Sequence, residues 1–236
     1  MRLDKLLANT GVGTRSEVKG MILKGRVTVN GALVRDPGFG VNTEDDIAVN
    51  GQQIDSNEYI YLLFDKPDGV LTAMEDPRLD CVGNYIPDSL KGKHLSPVGR
   101  LDYHTTGLLI ITNDGTLNHK LTSPRYKVEK SYLVTYEGDD LTGEIAAELK
   151  QGITLTDMEE HTKLAPAMLE LKGNKTCLIT LTEGKTHEVR RIMAHFGRSV
   201  VSLRRISIAG LRLDLEEPGL LRPLTKEELS YLTAAL

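Results

Sequence analysis

Cysteine is nearly absent: 236 residues hold two, Cys81 and Cys177. So few thiols make no disulfide framework and show no metal-ligand spacing. No stretch approaches the roughly 18 apolar residues of a membrane span. The opening MRLDKLLANTG is too poor in apolar residues for a signal peptide. These absences point to a reducing cytoplasm with no membrane partner. Internal repeats and low-complexity tracts are also missing. Excess positive charge is lacking too: the net charge is −4 at pH 7, which taken alone argues mildly against nucleic-acid binding.

The charge distribution reverses that argument. Residues 1–35 hold seven Lys and Arg (Arg2, Lys5, Arg15, Lys19, Lys24, Arg26, Arg35) against Asp4 and Glu17, a local +5; the remainder carries −9. A basic head on an acidic body suggests that the head meets a polyanion. At 40% apolar residues the chain can build a real core, and its length fits a large domain with a smaller one.

Residues 3–9 carry Leu3, Leu6 and Leu7 at helical spacing. Thr14-Arg15-Ser16-Glu17 is a capping box that opens a second helix, with Val18, Ile22 and Leu23 inward and Arg15 and Lys19 outward. Gly25 stops it. The run 26–31 alternates and ends in Asn30-Gly31, the signal of a tight hairpin. Residues 50–58 are polar and read as a linker. Beyond it come strands near 59–64, 107–112, 130–136, 153–155, 166–171, 176–182, 199–203 and 207–213. Helices fall at 115–121, at 143–150 and at 187–195, the last capped by Thr186 and closed by Gly197. A second capping box at Thr225 opens a final helix. With no regular βαβ repeat, the fold class is α+β on a mostly antiparallel or mixed sheet.

One stretch carries chemistry: Gly99-Arg100-Leu101-Asp102-Tyr103-His104-Thr105-Thr106-Gly107-Leu108-Leu109. It sets a carboxylate, Asp102, in a turn that feeds an apolar strand. Gly99 and Gly107 permit tight turns, and the hydroxyls of Thr105 and Thr106 can bond the backbone. An aspartate beside glycine ordinarily only caps a turn. A second segment, Glu183-Gly184-Lys185-Thr186-His187-Glu188-Val189-Arg190-Arg191-Ile192, puts His187 and Arg191 at i, i+4, with Arg191 about 100° round the helix from Arg190. Arg-Arg on a helix is usually just a solvated face. A third, Glu129-Lys130-Ser131-Tyr132, is strand-like, and Val201-Ser202-Leu203-Arg204-Arg205 ends with two cations. No metal cluster is evident, and none of this chemistry calls for a cofactor.

The run GRLDxxTTGLLxxTNDG resembles the signature of pseudouridine synthases that act on ribosomal RNA, the family that joins A-type enzymes of the small ribosomal particle with B-, E- and F-type enzymes of the large one. Residues 1–50, with RLDKLL, SR and VNG in order, resemble the S4 RNA-binding domain. The resemblance implies a small α/β S4 domain over 1–50, a linker over 51–58 and a catalytic domain over 59–236. That catalytic domain would be built on a mostly antiparallel mixed sheet with flanking helices. It implies Asp102 as the catalytic carboxylate, Arg190 as the cation that pairs with it, and Tyr132 as the aromatic stacked on the flipped base. Leu203 would lie on the base's other face. Arg100, Lys130, His187 and Arg191 join them as substrate-binding positions, with Arg204 and Arg205 extending a basic surface beside the pocket. Arg2, Arg15, Lys19, Lys24 and Arg26 fall on the RNA-binding ridge as phosphate contacts, which position more than they specify. Glu188 stands where relatives often have Gln.

The reaction breaks the ribose C1′–uracil N1 bond and rebuilds it from C5. It needs a group to assist detachment, walls for the loose base and a base for the C5 proton. The expected partner is ribosomal RNA, preferably 16S on account of length, a single S4 unit and no basic C-terminal tail, and the protein is expected to act as a monomer. A sibling enzyme of 23S RNA and a non-catalytic S4 assembly protein are the alternatives. A glycosidase reading fails for want of a second carboxylate near Asp102 in sequence.

Overall fold

The structure is a computed structural model and describes residues 1–42, 45–54, 59–156, 162–215 and 217–234. It divides into two compact units. One comprises Met1–Tyr61, Ile86–Ser96 and Thr112–Gly115; the other comprises Leu62–Tyr85, Pro97–Ile111 and Thr116–Leu236.

In the first unit, helices α1 (Leu3–Asn9) and α2 (Arg15–Leu23) precede strands β1 (Val27–Val29), β2 (Ala32–Val34), β3 (Ile47–Val49) and β4 (Gln52–Ile54). The four strands form one antiparallel sheet in the order β2-β1-β3-β4. The capping box forms as expected: the Glu17 amide donates to Thr14 Oγ1, and the Thr14 amide donates to Glu17 Oε2 at 2.7 Å. Leu3, Leu7, Val18, Ile22, Val27 and Ile47 are fully buried and make the core. Leu23, expected inward, is exposed, because it is the last helical residue and lies off the Val18–Ile22 stripe.

The stretch expected as a linker is shorter than 51–58, since Gln52–Ile54 form β4 against β3. An edge strand needs little apolar content when its backbone is paired on one side. A signal was available: Asn50-Gly51 repeats the Asn30-Gly31 motif, and all four residues have positive φ (51° to 81°), as a type I′ hairpin turn requires. Residues 55–58 of the expected linker lie outside the described residues.

The later elements are β5 (Tyr61–Lys66), β6 (Ser96–Pro97), β7 (Thr106–Thr112), α3 (Gly115–Thr122), β8 (Lys130–Glu137), α4 (Gly143–Gln151), β9 (Thr154–Leu155) and β10 (Thr162–Lys163). They continue with β11 (Met168–Gly173), β12 (Thr176–Leu181), α5 (Glu188–His195), β13 (Ser199–Ile208), β14 (Leu211–Arg212), β15 (Leu221–Pro223) and α6 (Lys226–Ala234). The main sheet runs β11-β12-β8-β13-β7-β5-β15, with β14 beside β13 and β6 beside β7. It is mixed as expected: β13 pairs antiparallel with β8 and parallel with β7. The two strands expected near 199–203 and 207–213 are instead one ten-residue strand with register shifts at 200/202 and 205/207, followed by the short β14.

Paired residues of adjacent strands point to the same side. Tyr132 and Val134 on β8 therefore share a face with Ile179 and Cys177 on β12 and with Leu203 on β13. Val189, Ile192 and Met193, spaced for one helix stripe, lay α5 on that face and close a buried core with Leu149, Leu155 and Leu164. Among the described residues no helix is long and apolar enough to cross a membrane.

Candidate active site

The turn bearing Asp102 is held from several sides. Downstream, β7 pairs with β13 so that Thr106 lies opposite Arg204 and Gly107 opposite Arg205. Gly107 has φ +99°, and a Cβ there would stand 2.3 Å from the Arg205 carbonyl oxygen. Only glycine fits so close a backbone approach. This register delivers the loop beside Leu203, whose carbonyl accepts from Thr106 Oγ1 at 3.4 Å.

Upstream, Thr72 clamps Leu101 on both sides: its hydroxyl donates to the Leu101 carbonyl at 2.6 Å and accepts from the Leu101 amide at 3.2 Å. Beneath the turn, the fully buried Lys66 donates to the carbonyls of Pro67 (3.0 Å), Tyr103 (3.2 Å) and Thr105 (2.9 Å). Burial pushes its ammonium down to about 8, and the Asp68 and Asp102 carboxylates oppose that shift. The Thr105 hydroxyl, expected to brace the loop, is buried without a partner among the described residues. Thr72 and Lys66 do that work. They were not legible as site residues, because each reaches the turn across some 30 or more positions of chain.

Asp102, Tyr132 and Leu203 line one cavity of about 410 Å³, together with Arg100, Leu181, Lys185, His187 and Glu188, a size within the usual range for small-ligand sites. Leu203 is buried, Tyr132 and Asp102 are partly exposed, and Arg100 is exposed. Asp102, His187 and Leu203 also border a second cavity of about 680 Å³, lined further by Asp68, Tyr103, His104 and Arg190. The Asp102 carboxylate thus borders two cavities, one with the Tyr132 phenol and Arg100 in its lining and one with Arg190.

The expected pairing of Arg190 with Asp102 is not formed. Arg190 Nη2 donates to the His104 carbonyl at 3.0 Å, and the imidazole of His187 stands by the carboxylate instead, Nε2 to Oδ1 at 3.6 Å. The physical reason lies in the turn before α5. His187 adopts a left-handed conformation (φ +52°) as the residue preceding the helix, so it, not Thr186, occupies the capping position. No side-chain cap is made there; the Glu188 carboxylate reaches back to the Lys185 amide at 2.7 Å. Two further expectations fail. Lys130 and Arg191 line neither cavity, the Lys130 ammonium folding back onto the Val128 carbonyl at 3.0 Å. Nor do Arg204 and Arg205 form a basic surface. Arg204 pairs with the buried Asp65 at 2.6 Å, and Arg205 is buried with Nε donating to the Leu108 carbonyl at 2.8 Å.

On the first unit, Arg2, Arg15, Lys19, Lys24 and Arg26 are all exposed. Their availability differs. Arg2 and Arg15 hold the buried Asp4 carboxylate at 3.0 and 3.5 Å, and the Arg2 hydrogen bond keeps that carboxyl below its ordinary range. Arg26 donates to Asn50 Oδ1 at 2.6 Å. Lys19 and Lys24 make no such bonds among the described residues and are the most available to phosphate.

Comparison with known proteins identifies the family. The family model for RNA pseudouridylate synthase matches residues 60–195, and the S4 domain model matches 1–47. An uncharacterized RNA pseudouridine synthase of Bacillus subtilis is 39% identical, covering 98% of each chain. The ribosomal small subunit pseudouridine synthase A of Escherichia coli is 37% identical over 98% of this chain and 99% of its own. The ribosomal large subunit pseudouridine synthase B of Bacillus subtilis is also 37% identical, over 99% and 96%. A crystal structure of a pseudouridylate synthase superposes with a TM-score of 0.69 at 33% identity, covering 98% of this chain and 99% of the other. The chain belongs to the RNA pseudouridine synthases, isomerases acting on RNA, and carries an S4 domain at its N-terminal end.

Proposed function

We propose that this protein converts a specific uridine of ribosomal RNA to pseudouridine, acts on 16S RNA, and works through Asp102 on a base flipped out of the RNA. The observation that carries the reading is the convergence of Asp102, Tyr132 and Leu203, from a loop and two strands, on one cavity. Extruding a base costs a few kcal/mol, which stacking on an aromatic ring, worth roughly 1–3 kcal/mol, can offset. Tyr132 supplies that ring and Leu203 the opposing apolar wall. Asp102 assists the departure of N1 from C1′ by stabilising the electron-poor sugar or adding to the base. The detached uracil turns within the walls, C5 bonds to C1′, and the C5 proton leaves with the Tyr132 phenol as its acceptor or relay. N1 ends protonated, so the reaction is an isomerisation and consumes no co-reactant.

His187, at 3.6 Å from the carboxylate, is the cation nearest Asp102 when protonated. Arg100 and Arg190, which line the first and second cavity, supply cations for the phosphates that flank the flipped nucleotide. The first unit captures structured RNA through its exposed lysines, and the protein works as a cytoplasmic monomer. Relatives named for the small and for the large ribosomal subunit show equal identity, so the assay must separate the two substrates. Tritium release from [5-³H]uridine-labelled 16S and 23S RNA does this. Release from 16S alone, falling about 10⁴-fold or more in Asp102→Asn, is the expected result. Release from 23S alone reassigns the substrate. Release that survives the substitution removes Asp102 from the chemistry.

A further inference from the structure

Two carboxyls, Glu183 and Glu188, flank the 184–187 turn between β12 and α5, and Glu188 lines the Asp102 cavity. Glu188 is only 4% exposed. Its Oε2 accepts from the Lys185 amide at 2.7 Å, while its Oε1 is buried with no donor facing it among the described residues. Glu183 has both oxygens engaged, Oε1 by the Ala165 amide at 2.6 Å and Oε2 by the Lys185 ammonium at 3.0 Å. The same ammonium donates to the Lys163 carbonyl. What Glu188 turns toward Glu183 is another acceptor, and the two carboxyls lie within hydrogen-bonding reach of each other.

Two ionised carboxylates cannot occupy such a site without repulsion in a poorly solvated wall. One proton on Glu188 removes the conflict: its O–H donates to Glu183, and the orphaned oxygen is satisfied. We propose that Glu183 and Glu188 share a single proton, and that this acid pair is a positioning device holding the 184–187 turn, with His187, against Asp102. The inference rests on the reading of Asp102 as the catalytic carboxylate. Between the two acids lie Gly184, Lys185, Thr186 and His187, all lining the cavity. Loss of the shared proton sets two negative charges against each other at the two ends of the turn and loosens the hold on His187.

Among the described residues, the charged groups facing the pair are few. Lys185 lies between the two carboxyls and favours their ionised forms. Lys130 on β8 is the other cation within electrostatic reach of Glu188, and Arg205 on β13 acts against the charge on Lys130. Burial nevertheless outweighs these cations and pushes Glu188 up to about 7, while Glu183 stays below its ordinary value. Above that pH the pair is doubly charged, so loss of the Glu188 proton contributes to the alkaline limb of the turnover profile. Lys66 and Lys130 are each lowered to about 8 by burial.

The test is the pH dependence of kcat for tritium release under saturating RNA, in wild type, Glu188→Gln and Glu183→Gln. A glutamine at 188 donates to Glu183 at every pH, so its alkaline limb moves to higher pH. Glu183→Gln moves the limb in the same direction. An alkaline limb that is identical in all three proteins overturns the proposal. A carboxyl ¹³C titration of Glu-labelled wild-type protein needs no variant to fold: one glutamate resonance titrating near pH 7 supports the pair. Ordinary titration of every glutamate near pH 4.5 overturns it. Asp102→Asn run alongside separates the two claims. If it is inactive while the limbs coincide, only the acid pair fails; if it is active, the site reading fails.

Discussion

The S4 unit and the Asp102 turn are both compact and polar at the surface, yet they are assembled in opposite ways. In the S4 unit the helix cap and the hairpin turns are local. Thr14 and Glu17 cap α2 three residues apart, and Asn30-Gly31 and Asn50-Gly51 close their hairpins with adjacent residues. The Asp102 turn has almost no local support. Its carbonyls are held by Lys66, its preceding residue by Thr72, and its register by Arg205 beyond Gly107. Binding surface arises where short-range signals suffice. Asp102, the proposed reacting group, is fixed by bonds closed across the chain, which permits tighter positioning at the cost of depending on the whole sheet.

Substitutions that break this contrast should differ in kind. The largest effect is expected at Lys66→Met. It leaves the Tyr103 and Thr105 carbonyls without their buried donor, and a misplacement of about 1 Å is worth on the order of 10²-fold in rate. Single-turnover assays should show that loss while RNA affinity holds. Affinity falling in parallel would mean that the turn and the binding surface are not separately built. An intermediate effect is expected for Lys19→Ala with Lys24→Ala. Each exposed lysine that neutralises a phosphate contributes about 0.7–0.9 to the logarithmic salt slope, so the double variant should flatten it by about 1.4 to 1.8 with kcat unchanged. An unaltered slope would move the RNA face elsewhere on the unit. The smallest effect is expected for Thr14→Ala, about 1 kcal/mol of stability for a lost helix cap, read by urea denaturation, with no change in the chemistry.

What was legible followed the same division. The capping boxes at Thr14 and Thr225 form as read, and Asp102, Tyr132, Leu203, Arg100 and His187 meet at one cavity. The partner of Asp102 was misread because helix periodicity puts Arg190 on a face, but not the left-handed kink at His187 that swings the imidazole in ahead of it. Arg204 and Arg205 looked like surface cations because Asp65 and the Leu108 carbonyl, their partners, are distant in sequence.

The amino-acid order by itself determined the two-part plan, the positions of helices and turns, and the segments that bear the proposed site residues. Caps, hairpin turns and hydrophobic periods act over a few residues. Only the tertiary structure decided which cation meets the carboxylate, which cations are buried and spent on structure, and that Glu183 faces Glu188. Those outcomes depend on strand register and on desolvation, and both exist only once the sheet has closed.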